Sequence, residues 1–162
     1  MTDKPDITAL LEEHQNLIYK IVHSYCPDRQ EQEDLIQEIM LQLVKGYDRF
    51  DHRVKVTTWM YKVAFNVAIS HYRKTKRRRQ YILSMPDKPV QISAPIKQEV
   101  DGRLLLLRKF IANLDPLHRA IMIMYLDENS HAEIAEAMGI TVSNVGTKIG
   151  RVKKLLKQKF NQ

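Results

Sequence analysis

Cysteine is almost missing from this chain. Cys26 is the only one in 162 residues, so no intrachain disulfide can form and a reducing compartment is expected. No stretch of about 18 apolar residues exists to span a bilayer. The opening residues, Met1 to Asp6, are polar and lack the apolar run of a secretory leader. A cytoplasmic protein without membrane insertion is the expectation. Catalytic constellations are missing too. His14, His23, His52, His71, His118 and His131 are scattered over separate elements, without serine or carboxylate partners at acid–base or nucleophilic spacing. His23 and Cys26 lie three apart and amount to half a metal site, with no second pair to complete it. No glycine-rich loop cradles a phosphate. These gaps argue against a helical enzyme, and neither cofactor nor metal is expected.

What the chain does have is positive charge, helical periodicity and capping chemistry. The formal net charge is +7, which favours a polyanionic partner because Lys and Arg release counterions from phosphates. Hydrophobic residues make up 44%, enough for folded cores. Ile7, Leu10, Leu11, Leu17, Ile18, Ile21, Val22 and Tyr25 line one side of a first helix closed by Pro27. Asp28 starts a second, with Leu35, Ile36, Ile39, Met40 and Leu43 on its apolar side and Gly46 as its stop. After a polar connection, Thr57 or Thr58 caps a long third helix with Met60, Val63, Ala64, Val67 and Ala68 inward. Pro86, Pro89 and Pro95 then exclude helix and mark an extended linker. Helical pattern returns at Leu104 to Ile111, and Asp115-Pro116 caps a further helix containing Leu117, Ile121, Ile123, Met124 and Leu126. The expected fold is all-α: two small helical domains, residues 7–82 and 99–162, joined by a flexible proline-containing linker at 83–98.

The last fifth reads as a helix-turn-helix. Ser130 and Glu133 form a capping box, Gly139 suits the left-handed residue that ends a helix, and Thr141 can cap the next. Two short helices joined by such a turn are the geometry that puts the second one in the major groove of DNA. Val145, Ile149, Val152 and Leu156 fall on its inner face. Ser143, Asn144, Thr147, Lys148 and Arg151 then face outward, where they can meet base edges and phosphates. Gly146 and Gly150 stand out, since each costs about 1 kcal/mol relative to Ala inside a helix. Such a pair either admits another backbone or leaves few side chains to reach bases.

Two further clusters belong to the first domain. Six of the seven residues from Arg73 to Arg79 are basic, with Tyr72 and Tyr81 flanking and Trp59, Tyr61 and Phe65 upstream. Cations at a helix end complement its dipole, but aromatic rings beside a basic track also suit unpaired bases. Glu31, Glu33, Asp34, Gln37 and Glu38 form an acidic segment, which stabilises a helix start. In a basic chain it fits a protein partner better than a nucleic acid.

Together these residues resemble a bacterial sigma factor of the extracytoplasmic-function type in the sigma-70 family, over nearly the whole chain. The resemblance runs through Asp34-Leu35-Ile36-Gln37-Glu38-Ile39-Met40-Leu41, Phe50-Asp51 and Thr58-Trp59-Met60-Tyr61-Lys62-Val63-Ala64-Phe65-Asn66. It resumes at Leu114-Asp115-Pro116 and continues into the helix-turn-helix. It implies a dissociable promoter-specificity subunit of core RNA polymerase, with no cofactor. Asp34, Leu35, Gln37 and Glu38 would dock on the clamp helices of the largest subunit. The −10 element would meet the loop from Asp51 to Val56, including His52, Arg53 and Lys55, together with Trp59, Asn66 and the nearby Arg73, Lys74 and Arg77. Thr147, Lys148 and Arg151 match the −35 contacts, and the second domain would also touch the polymerase flap. An anti-sigma factor is expected as a further partner. The chain departs from the pattern at Phe65 and Ser70, where Arg and Asp are common, and at Gly146 and Gly150, which replace larger −35-contacting side chains. The competing reading is a stand-alone helix-turn-helix repressor or activator, which would bind duplex DNA tightly without polymerase.

Overall fold

The computed structural model describes residues 4–83 and 102–161. The chain divides into two compact units, Met1–Lys97 and Gln98–Gln162. Unit 1 contains α1 (Ile7–Glu13), α2 (Gln15–Tyr25), α3 (Arg29–Tyr47) and α4 (Val56–Leu83). Unit 2 contains α5 (Gly102–Ala112), α6 (Pro116–Leu126), α7 (His131–Met138) and α8 (Val142–Phe160). Among the described residues all regular structure is helical, and no helix is long and apolar enough to cross a membrane. The expected linker prolines, Pro86, Pro89 and Pro95, lie outside the described residues.

In unit 1 the apolar stripes of α2, α3 and α4 meet around Ile18, Ile21, Val22, Leu35, Ile39, Leu43, Ala64, Phe65 and Ala68, all at most 2% exposed. Three sequence expectations need correction. The first helix is two helices, because His14 leaves helical geometry (φ −109°, ψ 19°). No Gly or Pro marks that break, and the apolar stripe passes straight through it. The break lets α1 join a separate cluster of Leu10, Tyr47 and Phe50, with Ile7, Val54, Val56 and Trp59 packed against it. Second, α3 does not stop at Gly46 but continues to Tyr47. The glycine is a packing residue, since a Cβ there would stand 3.3 Å from Trp59 Cζ2. Third, neither Thr57 nor Thr58 caps α4, which is already helical at Val56, and Thr58 is buried.

Cys26 is buried, and that burial, aided by the Glu31 carboxylate, pushes its thiol up to about 11. The thiolate is therefore scarce at neutral pH, which makes this side chain an inert packing residue. His23 points elsewhere, its Nδ1 lying 2.6 Å from the Tyr19 carbonyl oxygen.

Unit 2 packs α6 across α7 and α8, with Ala120, Ile121, Met124, Ile134, Val145, Ile149 and Val152 in its core. Leu126 was expected inward but is 49% exposed. Arg119 is the reverse case: only 3% exposed, it donates to the carbonyls of Ala112 (2.7 Å) and Leu114 (2.9 Å). The guanidinium thus satisfies carbonyls at the end of α5 and just beyond it, and places positive charge at that helix's negative pole.

Asp115 caps α6 by accepting from the His118 backbone N–H (3.1 Å), and its other oxygen meets the His118 ring. Burial works to raise its carboxyl, but the hydrogen bonds and charge of His118 outweigh that and hold it below its ordinary value. A depressed acid stabilises the fold above its unfolded-chain value near 4 and loses that contribution as pH falls through the folded value. Asp115→Ala should therefore cost about 0.5–2 kcal/mol at neutral pH, with the deficit shrinking in acid. Denaturant titrations at neutral and acid pH measure this, and a pH-independent deficit would refute the carboxylate's part.

Candidate nucleic-acid interface

The helix-turn-helix is built by its caps. Ser130 Oγ accepts from the Glu133 N–H at 3.1 Å and donates to Glu133 Oε1 at 3.2 Å. Gly139 is left-handed (φ 68°, ψ 33°), and its N–H returns to the Ala135 carbonyl at 2.9 Å. Thr141 Oγ1 then accepts from the Asn144 N–H at 3.1 Å, and three residues, Gly139 to Thr141, separate α7 from α8. Val145, Ile149 and Val152 anchor α8 in the core, and Leu156 is half-buried near its end. Helical spacing puts Ser143, Thr147, Gly150 and Lys154 on the opposite face, with Asn144 and Arg151 beside them, all exposed. Lys148 is half-buried at the edge of that face. Thr147 spends its hydroxyl hydrogen on the Ser143 carbonyl (3.0 Å), which leaves its oxygen free only to accept. Lys154 lay beyond the residues singled out from sequence, although its spacing from Thr147 and Gly150 would have found it.

The two α8 glycines differ. A Cβ on Gly146 would make ordinary contact with the His131 ring at 3.8 Å, whereas one on Gly150 would meet nothing within 4 Å. Neither position is demanded by the fold. Gly150→Ala should accordingly stabilise unit 2 by about 0.5–1 kcal/mol. Chemical denaturation reads this directly, and a loss of stability would mean that α8 needs its glycine.

In unit 1 the loop between α3 and α4 is organised by its own side chains. Asp51 accepts from the Arg53 N–H (3.2 Å) and pairs with the Arg53 guanidinium (3.0 Å), and both remain exposed. His52 adopts a positive φ of 61°, uncommon for a residue with a side chain, and its ring packs on Phe50 at 4.5 Å. Lys55 is exposed at the start of α4. Trp59 is half-buried beneath this loop, stacked on Phe50 (5.0 Å, 25°) and 6.0 Å from the Tyr47 ring. Its position makes it a support for the loop.

Along α4 the outward stripe is Lys62, Asn66, Ser70, Arg73, Arg77 and Tyr81, all exposed and spaced three or four apart. It extends the loop's surface for roughly 28 Å at the helical rise of 1.5 Å per residue. Lys62 escaped the sequence reading because it stands alone, away from the basic run. The run itself wraps around the helix. Lys74 is exposed beside the stripe, while Lys76 and Arg79 turn toward Cys26 and Glu31 and line a small cavity. No basic residue falls in the last turn of α4, so dipole complementation does not account for the cluster. Among the aromatics, Tyr61 and Phe65 are core residues stacked at 5.8 Å, and Tyr72 leans on Tyr25. Tyr81, at 64% exposure, is the most exposed ring of α4.

The acidic face of α3 carries Asp34, Gln37 and Glu38, all exposed. Leu35 does not share it, because one step along a helix turns a side chain by about 100° and puts Leu35 in the core at 2% exposure. Leu41 and Val44, 45% and 46% exposed, extend the face as an apolar patch that the sequence pattern did not isolate.

Known proteins resemble this chain in sequence and fold. Residues 10–78 match the family model of sigma-70 region 2, and residues 104–156 match that of sigma-70 region 4. The chain is 30% identical to the ECF RNA polymerase sigma factor SigX of Bacillus subtilis, over 90% of this chain and 78% of that protein. It is 25% identical to SigW of the same organism, over 98% of this chain and 90% of that protein. Among solved structures it is similar to the sigma factor RpoE of Bartonella quintana, crystallised with the anti-sigma factor NepR. There the TM-score is 0.73 at 17% identity, over 95% of this chain and 96% of that one. It is also similar to CnrH, solved with the cytosolic domain of CnrY, at a TM-score of 0.69 and 17% identity over 96% of this chain and 87% of that one. With both family regions matched in order and the fold shared, the chain belongs to the extracytoplasmic-function sigma factors of the sigma-70 family, and is a promoter-specificity factor for transcription initiation and not a stand-alone helix-turn-helix regulator.

Proposed function

We propose that residues 7–82 dock core RNA polymerase and capture the −10 element, that residues 99–162 read the −35 element, and that residues 83–98 tether the two. The observation that carries this division is the separation of charge within unit 1. Asp34, Gln37 and Glu38 make an acidic face on α3, while Lys62, Arg73 and Arg77 make a basic stripe on α4. A DNA-binding regulator has no use for the first, and a polymerase-docking module alone has no use for the second. Asp34, Gln37, Glu38 and the adjoining Leu41 and Val44 face the clamp helices of the largest subunit, with Leu35 holding that face from inside. Asp51, His52, Arg53, Lys55 and Asn66 meet the non-template strand, and Arg73, Lys74 and Arg77 follow its phosphates. Trp59 acts by supporting the loop. Ser143, Asn144, Thr147, Lys148, Arg151 and Lys154 face the −35 duplex, and unit 2 also contacts the polymerase flap.

Two weak DNA modules gain effective concentration when both are tethered on one polymerase. Strand opening is then favoured by trapping an unstacked base in unit 1, at a cost of a few kcal/mol per flipped base. The chain breaks no covalent bond itself, works in the cytoplasm, and is held in check by an anti-sigma factor. Run-off transcription tests the whole reading. Core polymerase with this chain should initiate at promoters that core alone ignores, and no dependence at any candidate promoter would overturn it. Within the −35 surface, Arg151→Ala should cost about 1–3 kcal/mol if the side chain reads a base, or mainly flatten the salt slope if it meets phosphate. Unchanged affinity and slope would remove Arg151 from the interface.

A further inference from the structure

The segment ahead of α1 is fastened to the far end of α3. Lys4 Nζ donates to the Tyr47 carbonyl at 2.6 Å and stands 4.3 Å from the centroid of the Tyr47 ring. In return the Tyr47 hydroxyl donates to the Pro5 carbonyl at 2.6 Å. This reciprocal clasp joins residues more than 40 positions apart (separations of 43 and 42). The Tyr47 carbonyl that holds Lys4 also accepts from the Phe50 N–H at 3.1 Å, a bond of the turn leading into the loop. From Tyr47 an unbroken series of ring contacts reaches the loop: Trp59 at 6.0 Å, Phe50 on Trp59 at 5.0 Å, and His52 on Phe50 at 4.5 Å. Ile7 and Leu10 of α1 belong to the same cluster, as does Val54 of the loop. At the end of the series sits His52, whose left-handed backbone is the kind of local strain that persists only where surrounding contacts over-determine it.

We propose that residues 4–10 form a positioning strap for the −10 loop, with Lys4 and Tyr47 as its anchoring side chains. Neither side chain needs to touch DNA. Tyr47 is 5% exposed, and the Lys4 ammonium is committed to a carbonyl and a ring. The strap fixes where Tyr47 and Phe50 stand, and they fix the conformation in which Asp51, His52 and Arg53 are offered to an unpaired base. The consequence is selectivity: a loop held in one conformation distinguishes bases, while a loose one binds them more evenly. This inference rests on the −10 assignment proposed above.

The test uses reconstituted holoenzyme and single-stranded oligonucleotides. One carries the non-template −10 sequence of a promoter that the holoenzyme uses, and a set replaces each of its bases in turn. Lys4→Met and Tyr47→Phe should each lower the preference for the native oligonucleotide over the replaced ones by about three- to tenfold, the scale of one lost hydrogen bond. Lys4→Arg should restore it, and core polymerase binding should not change. A merely structural role would reduce the folded fraction and weaken every oligonucleotide alike, leaving the preference ratio intact. That outcome, or no change at all, overturns the strap. If the native holoenzyme itself shows no preference at any base, the −10 assignment fails and the strap falls with it.

Discussion

Reversing Asp34 and Glu38 together to lysine should abolish stable binding to core polymerase, weakening it at least about 100-fold, or roughly 3 kcal/mol. Both carboxylates are exposed on one face of α3, so their replacement touches nothing in the core. Surface changes of this kind usually alter stability by no more than about 0.5 kcal/mol. The double variant should therefore melt like the native chain while failing to co-elute with core enzyme or support run-off transcription. The surface proposed to read the −35 element is on the other unit, so duplex affinity of unit 2 should survive. Leu35→Ala makes the informative contrast. That side chain is buried beside the same face, so its truncation should cost about 2–5 kcal/mol of unit 1 stability and lose docking only as the fold is lost. Retained docking by a well-folded Asp34→Lys/Glu38→Lys variant would refute the assignment of this face.

Arg119→Met should destabilise unit 2 by about 2–4 kcal/mol, although the replacement is apolar and of similar length. Hydrogen bonds to a charged donor contribute about 1.5–3 kcal/mol, and two would be lost here. The carbonyls of Ala112 and Leu114 would remain behind without this partner, so the apolar side chain brings no compensating relief. Replacing a buried ion pair as a whole can be neutral, but removing one side of a buried interaction is not. For a domain of this size the melting point should fall on the order of 10–20 °C. Hydrogen exchange localises the effect: amides of α5 and α6 should lose protection first, and those of α2 to α4 should keep theirs. A melting point within two degrees or so of the native value would show that the guanidinium contributes little.

What could be read from the sequence was local chemistry. Asp28, Asp115, Ser130 and Thr141 each cap a helix through a bond to an N–H two or three residues on, and Gly139 adopts the left-handed turn expected of it. Those interactions close within a few residues, so their spacing is enough to find them. The misread features all depend on what arrives from elsewhere in the chain. The break at His14 follows from α1 packing on the Tyr47–Phe50 cluster, which no periodicity encodes. Gly46 resembles a helix stop until Trp59 is seen against it. Arg119 looks like any charged residue on a helix until the end of α5 folds over it. Leu35 lies in the same sequence segment as Asp34 and Glu38 but turns inward, and Lys62, isolated from the basic run, joins the outward stripe of α4 only through the helical geometry.

Trp59 is the only tryptophan in the chain, and it lies directly beneath the loop assigned to the −10 strand. Excitation at the red edge of the absorption band therefore addresses a single site, with no label attached. Phe50 stacks on the indole and the tilted His52 ring packs on Phe50, so a base entering the loop would disturb the emission of that one ring. Unit 2 contributes no indole, and its docking on a −35 duplex should leave the signal unchanged. On the proposed −10 assignment, Trp59 is a built-in optical reporter for the moment of strand capture, usable in stopped-flow mixing against polymerase and promoter.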